Sequence, residues 1–322
     1  MDEATLLASA RAGDDDAFGR LVEPHRRELQ AHCYRMLGSL HDAEDALQES
    51  LVRAWTGLGT FDGRGPIRPW LYRIATNRCL TLLDRRARRE LPADLRPGAP
   101  LAEVAWLEPY PDRFLGPEAG VEQRERVELA FVAALQHLSA RQRAALVLRE
   151  VLGFSAAEVA DLLGASVAAV NSGLQRARRV LAERTPVVSQ QATLRALGDD
   201  TVKELADRYA AAWHAADVDA LVAMLAKDAT YSMPPRVEWY RGRDEIRAFL
   251  LRGPMPYRWR FLPCRANGQL AFGTYVWMDD QGAYSFAALD VVAVDDRQIS
   301  DVVSFLSRDL WKEFGLPARL ER

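Results

Sequence analysis

Apolar residues recur at intervals of three and four over residues 5 to 90, the spacing that places them on one face of an α-helix. This pattern predicts four helices, the last two separated by a glycine-rich stretch at residues 57 to 65. The same periodicity returns over residues 121 to 184 in shorter segments, with breaks at Gly153 and Gly164. We therefore predict two all-helical regions.

The two helical regions are separated by a stretch with little capacity for regular structure. Residues 91 to 120 contain six prolines and three glycines, so we predict a linker. Beyond residue 199, further helices give way to strands of alternating polarity such as AYSFAALDVVAVDD. The predicted fold class is thus multidomain, with two all-α domains followed by an α+β domain.

Length and composition exclude several classes of protein. At 322 residues, the chain exceeds what one hydrophobic core usually serves. It has no run of about 18 apolar residues that could span a bilayer, and its acidic N-terminus does not resemble a secretory signal. The isolated Cys33, Cys79 and Cys264 match neither a metal-binding spacing nor a disulfide framework. We therefore expect a cytoplasmic protein without a metal or cofactor.

Charge is distributed unevenly, although the formal net charge is only -3. Residues 1 to 62 hold 12 acidic residues and 6 arginines, whereas residues 63 to 96 hold 9 arginines and 3 acidic residues. A basic helical flank of this kind suits the phosphates of a nucleic acid. Arginine is nevertheless the usual basic residue of this chain, since all three lysines lie beyond residue 200. Its abundance alone is therefore weak evidence.

Residues 154 to 181, FSAAEVADLLGASVAAVNSGLQRARRVL, are typical of a helix-turn-helix. Ser155 can cap the first helix, Gly164 permits the tight turn, and Ser166 can cap the second helix. A polar second helix can enter the major groove of DNA. The alternative is an αα-hairpin with a solvated arginine face. The side chains offered to DNA are Ser166, Asn171, Ser172, Gln175, Arg176 and Arg179.

Three carboxylates share one face of the helix predicted over HDAEDALQESLVRAW. Asp42, Asp45 and Glu49 stand at positions i, i+3 and i+7, opposite Leu47 and Leu51. The spacing fits a docking surface for a protein and an ordinary solvated acidic face equally well.

The order of these motifs resembles an RNA polymerase sigma factor of the extracytoplasmic-function group. The features that carry the resemblance are HDAEDALQESLVRAW, then FDGRGPIRPWLYRIATNRCLTLLDRRAR, a linker and the helix-turn-helix. The resemblance implies sigma region 2 at 1–90, the linker at 91–120 and region 4 at 121–186. It also implies two partners, core RNA polymerase and promoter DNA, and a role in directing the polymerase to promoters to initiate transcription.

The resemblance assigns the acidic helix to the polymerase. In the family, this helix grips the coiled coil of the largest polymerase subunit. The implied polymerase-binding residues are Asp42, Asp45, Gln48 and Glu49.

The resemblance assigns the next helix and the loop before it to the opened promoter. A sigma factor holds the minus 10 element as a single strand, which requires a site for an extruded base and charge for the phosphates. The implied DNA-binding residues of region 2 are Arg64, Ile67, Arg68, Arg73, Asn77, Arg78, Arg85 and Arg86.

The recognition helix departs from the family pattern. AAVNSGL places Asn171 and Gly173 where the family often has basic residues. A glycine inside a helix costs about 1 kcal/mol relative to alanine and removes one phosphate contact. The minus 35 sequence preference therefore stays open.

Residues 199–320 resemble the SnoaL-like cone fold that polyketide cyclases and ketosteroid isomerases share. The fold implies an apolar cavity, although core packing is the commoner role of any one aromatic residue. The candidate lining residues are Tyr231, Trp239, Tyr257, Trp259, Tyr275 and Trp277. The fold's enzymes use an Asp or His in the cavity, for which Asp290 and His214 are the candidates here. Both residues also fit structural or surface roles, so we expect no enzymatic activity.

We expect the cone to regulate the sigma regions in cis, through intramolecular contact with region 2, region 4 or the linker. No membrane partner is expected. Two alternatives remain: a helix-turn-helix regulator that works without polymerase, and a small-molecule enzyme fused to a DNA-binding module.

Overall fold

The computed structural model describes residues 2–84, 89–90, 105–116 and 120–321. These residues form two compact units. The first unit contains the described residues of 2–89, 114–116 and 130–185, and the second contains those of 90–113, 120–129 and 186–321. The two predicted helical regions therefore share one unit, while most described linker residues belong with the α+β region.

Four helices build the N-terminal part of the first unit. They are α1 (Glu3–Arg11), α2 (Asp15–Leu37), α3 (Leu40–Gly57) and α4 (Ile67–Leu83). The side chains of Asp2, Asp14 and Ser39 each accept a hydrogen bond from a first-turn amide of α1, α2 and α3 respectively, which satisfies a donor that the helix itself leaves open. The four predicted helices are confirmed.

Among the described residues, five further helices follow in the second sigma-like region. They are α5 (Val121–Glu125), α6 (Leu129–Gln136), α7 (Ala140–Leu146), α8 (Ala156–Leu163) and α9 (Val167–Arg184), with a π-helical turn at Val147–Val151. Ser155 and Ser166 cap α8 and α9 through their side chains, and Gly164 ends α8 in the left-handed conformation at φ 58°. The predicted helix-turn-helix is confirmed, caps and turn included.

The second unit is built on one mixed sheet flanked by helices. Its helices are α10 (Gln190–Leu197), α11 (Asp199–His214), α12 (Val218–Met224), α13 (Arg243–Arg252) and α14 (Leu310–Phe314). Helix α10, which begins after the capping residue Ser189, was not predicted, because no element was assigned between residues 186 and 199.

The chain has nine described strands. They are β1 (Arg89–Glu90), β2 (Ala105–Trp106), β3 (Leu225–Ser232), β4 (Trp239–Arg241), β5 (Trp259–Ala266), β6 (Gln269–Met278), β7 (Ala283–Asp295), β8 (Gln298–Phe305) and β9 (Arg319–Leu320). The large sheet has the order β4-β3-β8-β7-β6-β5, with β9 on β7. Strands β3 and β8 are parallel, and the other described pairings of this sheet are antiparallel.

The sheet separates two hydrophobic clusters. One contains α11 residues such as Tyr209 and Trp213 together with Phe272 of β6. The other contains Tyr275 of β6 and is packed against by Trp311 of α14. Because alternate residues of a strand point to opposite faces, Phe272 and Tyr275 lie on opposite sides of the sheet. No helix in the described part of the chain is long and apolar enough to cross a membrane.

Candidate functional site

The acidic helix α3 exposes only part of its predicted docking surface. Asp45 and Gln48 are exposed, and Asp45 lies 3.7 Å from the His41 ring nitrogen. Glu49 is half-buried because it pairs with Arg53 at 2.6 Å and with Arg78 of α4 at 2.7 Å. Asp45 and Gln48 are thus accessible to a partner, whereas Glu49 already pairs with two arginines.

Asp42 does not share the exposed face. Its side chain is only 7% exposed and pairs with Arg89. Asp42 stands in the first turn of α3, where its backbone amide donates to the Ser39 hydroxyl. The expectation of three carboxylates on one solvated face is therefore wrong for Asp42, because spacing along a helix does not reveal which first-turn residue a neighbouring segment covers.

The predicted DNA-binding residues of α4 and its preceding loop fall into distinct environments. Arg64 and Asn77 are exposed. The side chain of Ile67 is fully buried, and its amide donates to Glu3 at 2.8 Å, so the structure does not support a side-chain contact between Ile67 and DNA. Arg85 and Arg86 lie outside the described residues.

Arg68, Arg73 and Arg78 are each paired with a carboxylate. Arg68 donates to Glu28 at 3.0 Å, Arg73 pairs with Asp161 of α8, and Arg78 pairs with Glu49. These guanidinium groups would have to exchange a carboxylate for a phosphate in order to neutralise DNA. The sequence pattern showed their charge but not these partners.

The helix-turn-helix contacts α4 within the first unit. The Phe154 ring meets the Tyr72 ring edge-on at 5.4 Å between centroids. The Arg68 guanidinium lies 5.0 Å from the centroid of each ring, a distance that permits a cation–π attraction. Together with the pair of Arg73 and Asp161, these contacts place the start of the helix-turn-helix over the arginine-bearing face of α4.

Arg143 of α7 joins the second sigma-like region to α2 through buried hydrogen bonds. Its side chain is buried and donates to the Met36 carbonyl at the end of α2 and to the Gln136 side chain. Burial lowers its pKa to about 10, so it remains charged at neutral pH. A cation at the C-terminal end of α2 is favoured by the helix dipole.

The recognition helix α9 presents its predicted DNA-binding side chains to solvent. Asn171, Ser172, Gln175, Arg176 and Arg179 are all exposed. The Ser166 hydroxyl accepts the Ala169 amide at 3.2 Å and so acts as a cap. Arg176 donates to Ser172 at 2.7 Å. The buried side of the helix packs through Val170, Leu174 and Ala177.

The six predicted lining residues of the cone do not surround one cavity. Tyr231 and Trp259 belong with the α11 side of the sheet, whereas Tyr275 and Trp277 belong with the opposite side. Trp239 and Tyr257 are 36% and 59% exposed. The prediction of a single aromatic-lined site is wrong, because aromatic content alone does not assign a side chain to a face.

The two candidate catalytic residues of the cone differ in environment. His214 is exposed, and its Nε2 accepts the Phe261 amide at 2.9 Å. Burial and the Arg260 charge lower its pKa. Asp290 is 1% exposed, and the Ser304 and Tyr209 hydroxyls lie near enough to its carboxylate to lower its pKa by hydrogen bonding, against the larger effect of burial. Burial raises the pKa of Asp290 to about 7.

One turn of the cone holds the linker between the two sigma-like regions. Asn267, between β5 and β6, accepts the Tyr110 amide at 2.8 Å and donates its own amide to the Tyr110 carbonyl at 2.8 Å. Its side-chain nitrogen donates to the Val127 carbonyl at 2.7 Å. One asparagine therefore binds both the linker, at Tyr110, and the start of the second sigma-like region, at Val127.

Neighbouring residues of this turn extend the grip. The Gly268 amide donates to Asp112 at 2.7 Å, and the Gln269 side chain accepts the Leu129 amide at 2.9 Å. Gly268 has φ +68°, and a Cβ there would lie 2.8 Å from the Arg124 carbonyl oxygen. Only glycine allows this approach. Tyr110 is fully buried.

Glu128, near the start of the second sigma-like region, binds the first turn of α10. Its carboxylate accepts the Gln190 and Gln191 amides at 3.0 Å and 2.8 Å. Burial raises its pKa to about 7. The sequence analysis missed both this cap and Asn267, although the Asn-Gly pair in RANGQL is a recognised turn signal between strands.

Among the described residues, no group of three or more His, Cys, Asp or Glu side chains could hold a metal ion. Hydrogen bonding to backbone and to other side chains accounts for the described contacts of the linker-holding turn.

Comparison with known families agrees with the order of the three regions. The family Sigma-70 region 2 matches residues 21–89, Sigma-70 region 4 matches residues 128–181, and the SnoaL-like domain matches residues 206–302. The predicted fold class is confirmed.

Individual relatives give the same result. SigG of Mycobacterium tuberculosis, an ECF RNA polymerase sigma factor, is 46% identical over 328 residues, covering 97% of this chain and 86% of that protein. SigM of the same species, another ECF sigma factor, is 36% identical over 180 residues, covering 56% of this chain and 83% of SigM. The crystal structure of the M. tuberculosis extracytoplasmic function sigma factor SigJ shares the fold, with a TM-score of 0.61 and 23% identity. The match covers 91% of this chain and 97% of the SigJ chain. Since the match to SigG spans nearly the whole chain, the protein belongs to the extracytoplasmic-function RNA polymerase sigma factors and carries a C-terminal SnoaL-like domain.

Proposed function

We propose that the SnoaL-like domain regulates this sigma factor in cis by holding the linker that joins region 2 to region 4. As a sigma factor, the chain directs core RNA polymerase to promoters and initiates transcription. The observation that carries the proposal is the triple hydrogen bonding of Asn267 to Tyr110 and Val127. Regulation acts on the segment between the two DNA-binding regions.

The geometry of the linker explains how such a contact would act. Region 2 and region 4 recognise separate promoter elements, so the chain between them must be free to span both. Asn267 and Gly268 bind the linker at Tyr110 and Asp112 and the start of region 4 at Val127, which fixes points that an unbound linker would let move apart. A ligand or partner that binds the released linker better than the held one would shift this balance.

The exposed side chains among the predicted site residues define the proposed binding surfaces for core polymerase and promoter DNA. Asp45 and Gln48 of α3, with Glu49, form the proposed contact with core polymerase. Arg64 and Asn77 in region 2, together with the exposed side of α9, form the proposed contact with promoter DNA. The site of action is the cytoplasm, where RNA polymerase works.

We assign the C-terminal domain a regulatory rather than a catalytic role. The His214 ring nitrogen already accepts the Phe261 amide, and His214 is exposed whereas Asp290 is buried. A general base must reach the proton that it removes. This arrangement does not support the alternative of an enzyme fused to a DNA-binding module.

The substitution Asn267→Gly tests the regulatory proposal. Asn267 has φ 54°, so glycine keeps the backbone conformation and removes only the side-chain hydrogen bonds. We expect faster hydrogen exchange at the Tyr110 amide and a Kd for purified core polymerase that is lower by at least about fivefold, within the usual range of coupling between sites.

The matched control for this test is Gln281→Gly, in an exposed turn of the same domain. It should leave both the exchange rate and the Kd as in the wild type. If Asn267→Gly releases the Tyr110 amide without changing polymerase affinity or transcription, the linker is held but not regulatory.

A further inference from the structure

The loop before α4, which the family resemblance assigns to the opened promoter, has buried residues at both of its ends. We call residues 61–67 the promoter loop. Phe61 is 7% exposed and Ile67 is fully buried, whereas the five residues between them are exposed. The Phe61 ring packs on the Trp70 ring of α4, with 5.3 Å between the centroids. The loop therefore presents a short exposed segment between two buried anchors.

Helix α1 contacts both anchors of the promoter loop from one row of side chains. Glu3, Leu7 and Arg11 stand at positions i, i+4 and i+8, so they are neighbours on one face of the helix. The Glu3 carboxylate accepts the Ile67 amide at 2.8 Å, and the Arg11 guanidinium donates to the Phe61 carbonyl. The two ends of the row thus bind the two ends of the loop through backbone groups.

Gly63, inside the promoter loop, lies close to the same row. Its φ is +73°, a conformation that glycine adopts without strain. A Cβ at this position would lie 3.4 Å from the Leu7 side chain and 3.7 Å from the Arg11 guanidinium. The loop backbone therefore stays close to α1 between its two hydrogen-bonded ends.

Helix α4 receives its N-terminal cap from α1. The capping position of α4 is Pro66, whose side chain makes no cap hydrogen bond. The first amides of a helix have no partner within the helix, and Glu3 supplies one for Ile67. The helix dipole also favours a carboxylate at this end. Glu3 therefore stabilises the point where the promoter loop becomes helix.

These contacts bear on DNA binding because the promoter loop is otherwise costly to order. Its exposed segment contains Gly63 and Gly65, and glycine loses more backbone freedom on ordering than any other residue. A loop that is fixed before it meets its ligand does not lose that freedom during binding. A row of side chains that holds the loop therefore favours capture of an opened strand.

We propose that Glu3, Leu7 and Arg11 are positioning residues for promoter opening, which hold the promoter loop in the conformation that binds the opened strand. They act through the loop. The inference rests on the proposed contact of region 2 with promoter DNA, and it gives a function to α1, a helix to which the sequence analysis assigned none.

The test uses holoenzyme assembled from the full chain and core polymerase. Its promoter is one that the wild type selects from duplex DNA with randomised minus 10 and minus 35 elements, and opening is followed by 2-aminopurine fluorescence in the minus 10 element. Glu3→Ala and Arg11→Ala should each slow opening about fivefold, the effect of losing one such hydrogen bond. Because both side chains are exposed, the fold and the Kd for core polymerase should stay as in the wild type.

Conservative and control variants separate positioning from general stability. Glu3→Gln keeps an acceptor for the Ile67 amide, so it should retain both rapid opening and slow hydrogen exchange at Ile67, whereas Glu3→Ala should lose both. The matched controls Glu23→Ala and Arg20→Ala remove exposed charges of α2 and should change neither. The inference is overturned if Glu3→Ala speeds exchange at Ile67 without slowing opening, or if a control slows opening as much.

The variant Arg64→Ala, in the exposed part of the promoter loop, distinguishes this inference from the proposed DNA contact. Slower opening by Arg64→Ala but not by the α1 variants would overturn the positioning role and leave the contact standing. Opening at the wild-type rate by all of these variants would overturn both.

Discussion

At the scale of single residues, Asp290 shows how burial changes the properties of a carboxyl group that the sequence identified only as a candidate. AALDVVAV suggested a carboxyl inside the cone, and the structure places it 1% exposed among aromatic rings. Its polar neighbours could not be foreseen, because they depend on where Tyr209 of a distant helix and Ser304 of β8 come to rest. Asp42 gives the same lesson, since its burial against Arg89 depends on a segment that follows α4.

The raised pKa of Asp290 predicts a pH-dependent stability. Burial raises this pKa from 3.8 to about 7, so between these values the folded protein holds a proton that the unfolded chain has released. The contribution of this proton to the free energy of unfolding is therefore fully present below pH 3.8, and it is lost as pH rises through about 7. At about 1.4 kcal/mol per pKa unit, the loss is on the order of 4 kcal/mol.

The variant Asp290→Asn isolates this effect. It cannot titrate, so urea unfolding across this pH range should show wild-type stability falling relative to the variant. Tyr209 and Tyr231 face Asp290, but their pKa values are raised by burial, so they stay neutral throughout. Glu128 titrates in both proteins and cancels. A difference between the two proteins that stays constant with pH would contradict the assignment.

At the scale of elements, the recognition helix α9 was predictable from its sequence, and so was the destabilising effect of a glycine inside it. Ser166, Gly164 and the apolar spacing specify the helix and its start. Gly173 lies in the helix interior, and a Cβ there would meet no atom within 4 Å. Gly173 is itself buried, but a methyl group would have room there, so no close approach of a neighbour requires glycine at this position.

Gly173→Ala should consequently stabilise the first unit by about 0.5 to 1 kcal/mol, because alanine loses less backbone entropy on forming a helix. Thermal and urea denaturation measure the change. A matched control is Gly164→Ala, where φ is +58° and alanine should destabilise instead. Destabilisation by Gly173→Ala would mean that a close contact at this glycine exists.

For helix α4, the sequence predicted the element but not its contacts with distant parts of the chain. Its helical span and its arginines followed from the sequence, but the pairing of Arg73 with Asp161 and the stacking of Arg68 on Phe154 did not. Those contacts join segments far apart in the chain, and no local periodicity encodes them. The arginine surface that we predicted as open is partly covered by the helix-turn-helix within the same unit.

At the scale of the whole molecule, the order of motifs was enough to identify the family. Two motifs in sequence, separated by a proline-rich linker, predicted the sigma regions, and the strand pattern predicted the cone. The linker itself was expected to lack structure. Its contacts at Tyr110 and Asp112 depend on a turn more than a hundred residues away, so they could be seen only in the folded chain.

The most direct test of this account is the binding of the full-length chain to purified core RNA polymerase, measured with Asp45→Arg and Glu23→Arg. Both substitutions reverse an exposed acid of the first unit, but only Asp45 lies on the proposed docking surface of α3. We predict that the wild type and Glu23→Arg bind alike, while Asp45→Arg weakens binding about tenfold or more. Failure of the wild type and of Asn267→Gly to bind the polymerase at all, or equal binding by all the variants, would contradict the account.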